Sequence, residues 1–87
     1  MKERVDMRSL KETIAFRIEQ LCAERNISIY ALAIQCGVDK STIYSILGGK
    51  SNSPEVASIK KICDGLEITL GEFFNTPEFD SLEQEIK

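Results

Sequence analysis

Four side chains in the middle of the chain could recognise a ligand by hydrogen bonding. They are Lys40, Ser41, Tyr44 and Ser45, and residues four positions apart lie on the same face of an α-helix. Lysine only donates hydrogen bonds, whereas serine and tyrosine hydroxyls also accept them. We call these four residues the polar face. This set can distinguish polar groups on a partner, but it contains no acid–base pair for catalysis.

The rest of the chain contains few residues suited to catalysis or metal binding. There is no histidine, so a serine or cysteine nucleophile would lack its commonest general base. The cysteines Cys22, Cys36 and Cys63 form no CxxC pair, and a zinc site built from them would also need a distant carboxylate. We interpret them as small buried residues of a reducing cytosol. We therefore expect no enzyme activity, no metal, no cofactor and no small-molecule ligand.

Length and composition indicate one globular domain. The chain has 87 residues, of which 43% are hydrophobic and 29% charged, which is ordinary for a folded protein. No apolar stretch approaches the ~20 residues of a membrane span. The N-terminus lacks the apolar segment of ~7–15 residues that directs export. We therefore expect a cytoplasmic protein without a membrane partner.

The elements that position the polar face are predicted to be helical, because no segment alternates polar and apolar residues as a half-buried strand does. Capping signals at Ser9, Ser28 and Thr69 mark helix starts. The predicted helices span residues 10–25, 29–36, 40–47 and 54–64, with a short fifth helix containing Phe73 and Phe74. The fold class is thus an all-α, compact five-helix domain with a short C-terminal tail that could itself be helical from Thr76-Pro77.

The fourth of these helices is predicted from its end signals and its apolar stripe. Ser53 would cap it and Pro54 would occupy its first position. We expect Val56 to belong to the buried stripe, together with Ile59, Ile62 and Cys63. Gly65 would close the helix.

The connection between the second and third helices is the main clue to function. It consists of Gly37-Val38-Asp39, and a turn this short that contains glycine makes two helices cross at roughly 90–120°. Ile43 and Ile46 would fill the inner side of the third helix. The polar face is then left outward, where it could enter the ~12 Å wide major groove of DNA and contact base edges.

The charge distribution is compatible with such a partner. The net charge is −3, but residues 39–61 carry four lysines against two acids, whereas residues 62–87 carry seven acids against one lysine. The middle of the chain is thus locally basic, as a localised anion-binding surface requires. The candidate DNA phosphate contacts are Ser28, Tyr30, Thr42, Lys50, Ser51 and Asn52.

These residues also carry a family resemblance. Residues 28–49, SIYALAIQCGVDKSTIYSILGG, resemble the helix-turn-helix of the phage repressor/Cro (XRE-like) family. The segment that follows, up to Phe74, is similar to that family's fourth and fifth helices, and the likeness covers about residues 13–74. The resemblance implies a five-helix domain in a transcriptional regulator that usually binds double-stranded DNA as a homodimer. It also implies base contacts from the polar face.

Two positions depart from the family pattern. Many members open the second helix with a glutamine that contacts a phosphate, whereas this chain has Ile29. Several members pair a basic residue of the first helix with a glutamate near the end of the third. The matching positions here are Cys22 and Leu47, and replacing a buried ion pair by apolar residues of suitable volume is often neutral or stabilising.

The C-terminal end supports an alternative. We divide the chain into a DNA-binding domain, residues 1–75, with its helix-turn-helix at about 28–48, and an acidic tail, residues 76–87. The tail carries Phe79, Leu82 and Ile86, which could form a dimer seam or pack on the first helix. The leading hypothesis is a sequence-specific regulator, a repressor. The alternative is a protein-interaction module or antitoxin-like partner that docks through the tail.

Overall fold

The computed structural model describes residues 9–48 and 54–82, and all regular elements in these two ranges are helices. This confirms the all-α fold class. In chain order the elements are α1 (Leu10–Arg25), α2 (Ile29–Cys36), α3 (Lys40–Gly48), α4 (Val56–Leu66), α5 (Leu70–Phe74) and α6 (Pro77–Asp80).

The first two helices begin and end where the sequence predicts. Ser9 and Glu12 form a capping box at the start of α1, and the left-handed backbone of Asn26 (φ 58°) ends it. The Ser28 hydroxyl accepts the N–H of Ala31 and so caps α2. These caps satisfy N–H groups that have no partner inside the helix.

The fourth helix differs from the prediction at both ends. It begins at Val56 instead of residue 54, after an N-cap at Glu55 whose side chain makes no cap hydrogen bond. It continues through Gly65 to Leu66, and Glu67 (φ 61°) takes the left-handed closing position. The predicted closure at Gly65 is therefore wrong. Ser53 lies outside the described residues.

Gly65 lets α4 pack close to α2 because it has no side chain. A Cβ atom at this position would lie 2.9 Å from Cys36 Cα and 3.0 Å from Cys36 Cβ, and closer still to Sγ. The Gly65 carbonyl accepts a hydrogen bond of 2.7 Å from Gln35 Nε2. The glycine thus marks the close approach of α4 to α2, which outweighs its poor helix propensity.

One contiguous core joins all of the longer helices. It contains buried apolar residues of α1, α2, α3, α4 and α5, with the largest fully buried ones being Ile18, Leu32, Ile43, Ile62 and Phe73. Val56 is 65% exposed, which contradicts its predicted place on the buried stripe. That stripe begins one turn later, at Ile59.

The last two helices follow their local signals. Thr69 and Glu72 form the predicted capping box of α5, and Thr76 caps α6 with Pro77 at its first position. The Phe79 ring lies 4.9 Å from that of Phe74 and 6.1 Å from that of Phe73, centroid to centroid.

For Phe79, these contacts favour packing within the monomer over a dimer seam. Ile86 lies outside the described residues. The division of the chain at residue 75 stays a prediction.

Candidate nucleic-acid interface

The corner between α2 and α3 is built by Gly37 and Val38. Gly37 adopts left-handed backbone (φ 69°), as predicted. Its N–H donates to Ile34 O at 3.3 Å, and the Val38 N–H donates to Ala33 O at 3.0 Å, which is the paired arrangement of a Schellman motif. Val38 is half-buried against the core. The corner therefore ends α2 before α3 begins, and the two helices remain separate.

The polar face is exposed along α3. Lys40, Ser41, Tyr44 and Ser45 are all exposed, with Tyr44 at 56%. Ile43 and Ile46, on the opposite side of the helix, are buried in the core. The predicted orientation of α3 is thus confirmed. Contact of these four residues with DNA stays a prediction.

A contact that the sequence did not reveal joins α2 to the start of α3. The Lys40 ammonium lies 4.8 Å from the centroid of the Tyr30 ring, within the range of a cation–π interaction. Tyr30 was predicted to contact phosphate and Lys40 to contact a base. No local pattern relates them, because the turn at Gly37 separates them and only the fold brings them together.

The remaining candidate phosphate contacts are distributed around α3. Ser28 is exposed at the start of α2, where its oxygen already accepts the cap hydrogen bond and its O–H can still donate. Thr42 is half-buried. Lys50, Ser51 and Asn52 lie outside the described residues, so their predicted roles stay predictions.

The positions that depart from the family pattern are packed against the core. Ile29, where many members have a glutamine, is partly buried there. Cys22 is buried and Leu47 is partly buried, so both supply apolar packing in place of an ion pair. Burial raises the pKa of Cys22, which keeps its thiol neutral and suits this apolar role.

Lys11 of α1 is a residue beside α3 that the sequence predictions do not include. It is 8% exposed, and its Nζ donates to the backbone carbonyls of Ser45 at 3.0 Å and Ile46 at 2.7 Å. A signal was available in the sequence, since Lys11 lies three residues before Ile14 and seven before Ile18. That spacing places it on the buried stripe of α1.

Burial raises the pKa of all three cysteine thiols. Burial raises the pKa of Cys36 to about 11, with the other two cysteines as smaller causes, and burial also raises the pKa of Cys63. In the described ranges, no group of three or more His, Cys, Asp or Glu residues could hold a metal ion. None of the helices there is long and apolar enough to cross a membrane.

Two short helices joined at a glycine corner, with an exposed polar face on the second, define a small helix-turn-helix protein. Residues 17–78 match the sequence profile of the Cro/C1-type HTH DNA-binding domain. This match covers most of the chain, which therefore belongs to the Cro/C1-type HTH DNA-binding domain family.

Solved structures show the same fold. The crystal structure of the prophage Lp1 protein 11 is similar with a TM-score of 0.79 and 26% sequence identity, over 87% of this chain and 100% of that one. The crystal structure of the hypothetical transcription factor NHTF from Neisseria is similar with a TM-score of 0.70 and 20% identity, over 90% of this chain and 88% of that one. No curated protein matches the sequence.

Proposed function

We propose that this chain is a sequence-specific transcriptional regulator that places α3 in the major groove of DNA. The observation that carries the proposal is the exposure of the polar face on α3, opposite buried Ile43 and Ile46. An α-helix fits the ~12 Å wide major groove, where the base pairs present distinct patterns of donors and acceptors. The polar face supplies groups that match those patterns.

Each side chain has a separate role in this arrangement. Lys40 donates to guanine O6 and N7, while Ser41 and Ser45 accept from or donate to several bases. The Tyr44 ring offers apolar surface to a thymine methyl group and its hydroxyl offers a hydrogen bond. Phosphates beside the groove are contacted by Ser28 and by backbone N–H groups at the start of α2.

We further propose that the protein acts as a homodimer and a repressor. Lysine and serine discriminate weakly among bases, since a good bidentate contact contributes only ~1–3 kcal/mol. Two copies related by a two-fold axis would read two half-sites ~34 Å apart, which multiplies a weak preference. A dimer bound to promoter DNA would block transcription by occupying it, as the resemblance to phage repressors suggests.

The test is a fluorescence anisotropy titration of the whole chain with duplexes from its own promoter region. Binding should weaken steeply as salt rises, because phosphate neutralisation releases counterions. The double variant Lys40→Ala with Ser41→Ala should lower the affinity and reduce the preference for one duplex over others. Lys61→Ala is the matched control, because it removes the same charge from an exposed position of α4. Binding that ignores salt, or that the double variant leaves intact, contradicts the proposal.

The docking alternative receives less support from α6. In this alternative Phe79 is the aromatic residue of the tail that binds the partner. In the structure Phe79 packs against Phe73 and Phe74. The exposed acids Glu78 and Asp80 remain available on this helix. If docking were the function, Glu78→Lys with Asp80→Lys would abolish the protein's interactions while the Lys40 and Ser41 double variant would spare them.

A further inference from the structure

The C-terminal end of α3 is stabilised by a cation from another helix. Carbonyls in the last turn of an α-helix accept hydrogen bonds from outside the regular helical pattern, and in α3 (Lys40–Gly48) this turn comprises residues 45–48. The last turn of α3 contains no basic residue. Lys11 of α1, 34 and 35 residues away in sequence, donates to two of these carbonyls, those of Ser45 and Ile46.

We propose that Lys11 is a positioning residue for sequence discrimination by α3. Its ammonium holds the last turn of the helix, so that Tyr44 and Ser45 present their side chains to base edges at one fixed angle. The inference rests on the proposed function, since it concerns how well the polar face reads DNA. It assigns to Lys11 no contact with DNA.

The burial of Lys11 is the reason for assigning it this role. Removing an ammonium from water is costly unless it is paired, and here the pairing is with the negative end of the α3 dipole. Nζ makes two bonds of 3.0 and 2.7 Å, and Lys11 is 8% exposed. A lysine that binds a DNA phosphate has to be exposed on the protein surface, and Lys40 is an example of an exposed lysine.

The consequence for the polar face follows from its position in α3. Ser45 contributes a side chain to the polar face, and its backbone carbonyl is one of the two that Lys11 holds. Without this bond the last turn of α3 would fray, because its carbonyls would lose a buried donor. A base contact needs its donor and acceptor at hydrogen-bonding distance and angle, so a loose last turn lowers discrimination more than it lowers non-specific attraction to phosphates.

Arg17 provides a matched control within the same helix. It also donates to helix C-terminal carbonyls, those of Glu72 and Phe73 at 2.8 Å each, but these belong to α5. Arg17→Met and Lys11→Met therefore both remove a cation of α1 from a helix end. Only the second loosens the helix that carries the polar face.

The experiment uses the full chain and a DNA duplex selected in vitro by the unmodified protein, compared with a scrambled duplex of the same composition. Affinity for both duplexes is measured as a function of salt, and unfolding by urea is followed in parallel. Lys11→Met should reduce the ratio of the two affinities by roughly tenfold, about the discrimination of one base contact, with an unchanged salt slope. Lys11→Arg, which keeps the charge and the donors, should restore the ratio. Arg17→Met should lower stability and leave the ratio unchanged.

The outcomes separate the two proposals. If the unmodified chain selects no sequence, the proposed function fails and this inference with it. If it selects one and Lys11→Met keeps the affinity ratio, the inference alone is overturned. A salt slope reduced by about one would instead assign Lys11 to a phosphate and also overturn it. Should Lys11→Met not fold, Lys11→Gln replaces it. Its uncharged amide carries two N–H groups instead of three, and its nitrogen lies one bond nearer the backbone than Nζ, so the affinity ratio should still fall. A ratio equal to that of the unmodified chain would overturn the inference.

Discussion

Replacing Gly65 by alanine should destabilise the fold, although alanine is the better helix former. The added Cβ would lie 2.9 Å from Cys36 Cα and 3.0 Å from Cys36 Cβ, and closer still to Sγ. Two of these atoms are held by the backbone of α2 and cannot move without shifting the helix. The substitution therefore forces α2 and α4 apart at a point of close approach.

The magnitude follows from two opposing effects. Alanine in place of glycine in a helix interior contributes about 1 kcal/mol of stability. Overpacking a close contact costs about 1–3 kcal/mol and sometimes more, and the upper part of this range applies because backbone atoms are involved. We expect a net loss of about 1–2 kcal/mol, which corresponds to a fall in Tm of about 5–15 °C for a domain of this size.

The assay is thermal and urea unfolding followed by circular dichroism, with two other glycines as controls. A Cβ at Gly48 would meet nothing within 4 Å, and one at Gly71 would meet only Thr69 Oγ1 at 3.7 Å. Alanine at either control position should leave stability unchanged or raise it slightly. The double variant Gly65→Ala with Cys36→Ala should recover only part of the loss, because it removes Sγ but keeps Cα and Cβ. If Gly65→Ala were as stable as the unmodified chain, the explanation of this residue by close packing would be refuted.

Two further predictions concern single side chains. Tyr30→Ala should weaken specific DNA binding by about two- to fivefold, which is the value of an exposed cation–π contact with Lys40. Tyr30→Phe keeps the aromatic ring and should keep most of the affinity. Equal losses of affinity for both variants in an anisotropy titration would instead assign the effect to the tyrosine hydroxyl. Burial raises the pKa of Cys36 from 9.0 to about 11. Between these two pH values the folded protein keeps a proton that the unfolded chain loses. Stability should therefore fall as pH rises from 9.0 towards about 11. Urea midpoints across this window should fall less steeply in Cys36→Ala, and equal slopes would contradict the assignment to this thiol.

Local signals predicted the helix ends that depend on neighbouring residues alone. Ser9, Ser28 and Thr69 each cap a helix through a bond to a backbone N–H three residues later. Gly37 closes α2 because left-handed backbone suits glycine. Such interactions are complete within one turn of chain, which is why the corner is predictable from the sequence. The outward orientation of α3 is predictable from the spacing of Ile43 and Ile46, which places both on one side of the helix.

Contacts between distant segments explain what the sequence did not reveal. The same residue type, glycine, closes a helix at position 37 and admits a neighbouring helix at position 65. Nothing local distinguishes these two uses, since the second depends on where Cys36 lies. The Lys40–Tyr30 pair and the bonds of Lys11 likewise appear only once the helices are packed.

The bonds made by α1 also bear on how a chain of net charge −3 can approach DNA. Three cations of α1 each bind the C-terminal carbonyls of a different helix, with Lys11 on α3, Arg17 on α5 and Arg25 on α4. A helix carries about half a negative charge at its C-terminal end and half a positive charge at its N-terminal end. Because Lys11 offsets the negative end of α3, the positive end remains, and it coincides with Lys40. The electrostatic field that a phosphate meets near α3 therefore depends on the charged groups close to this helix. That field can be attractive although the total charge of the protein is negative.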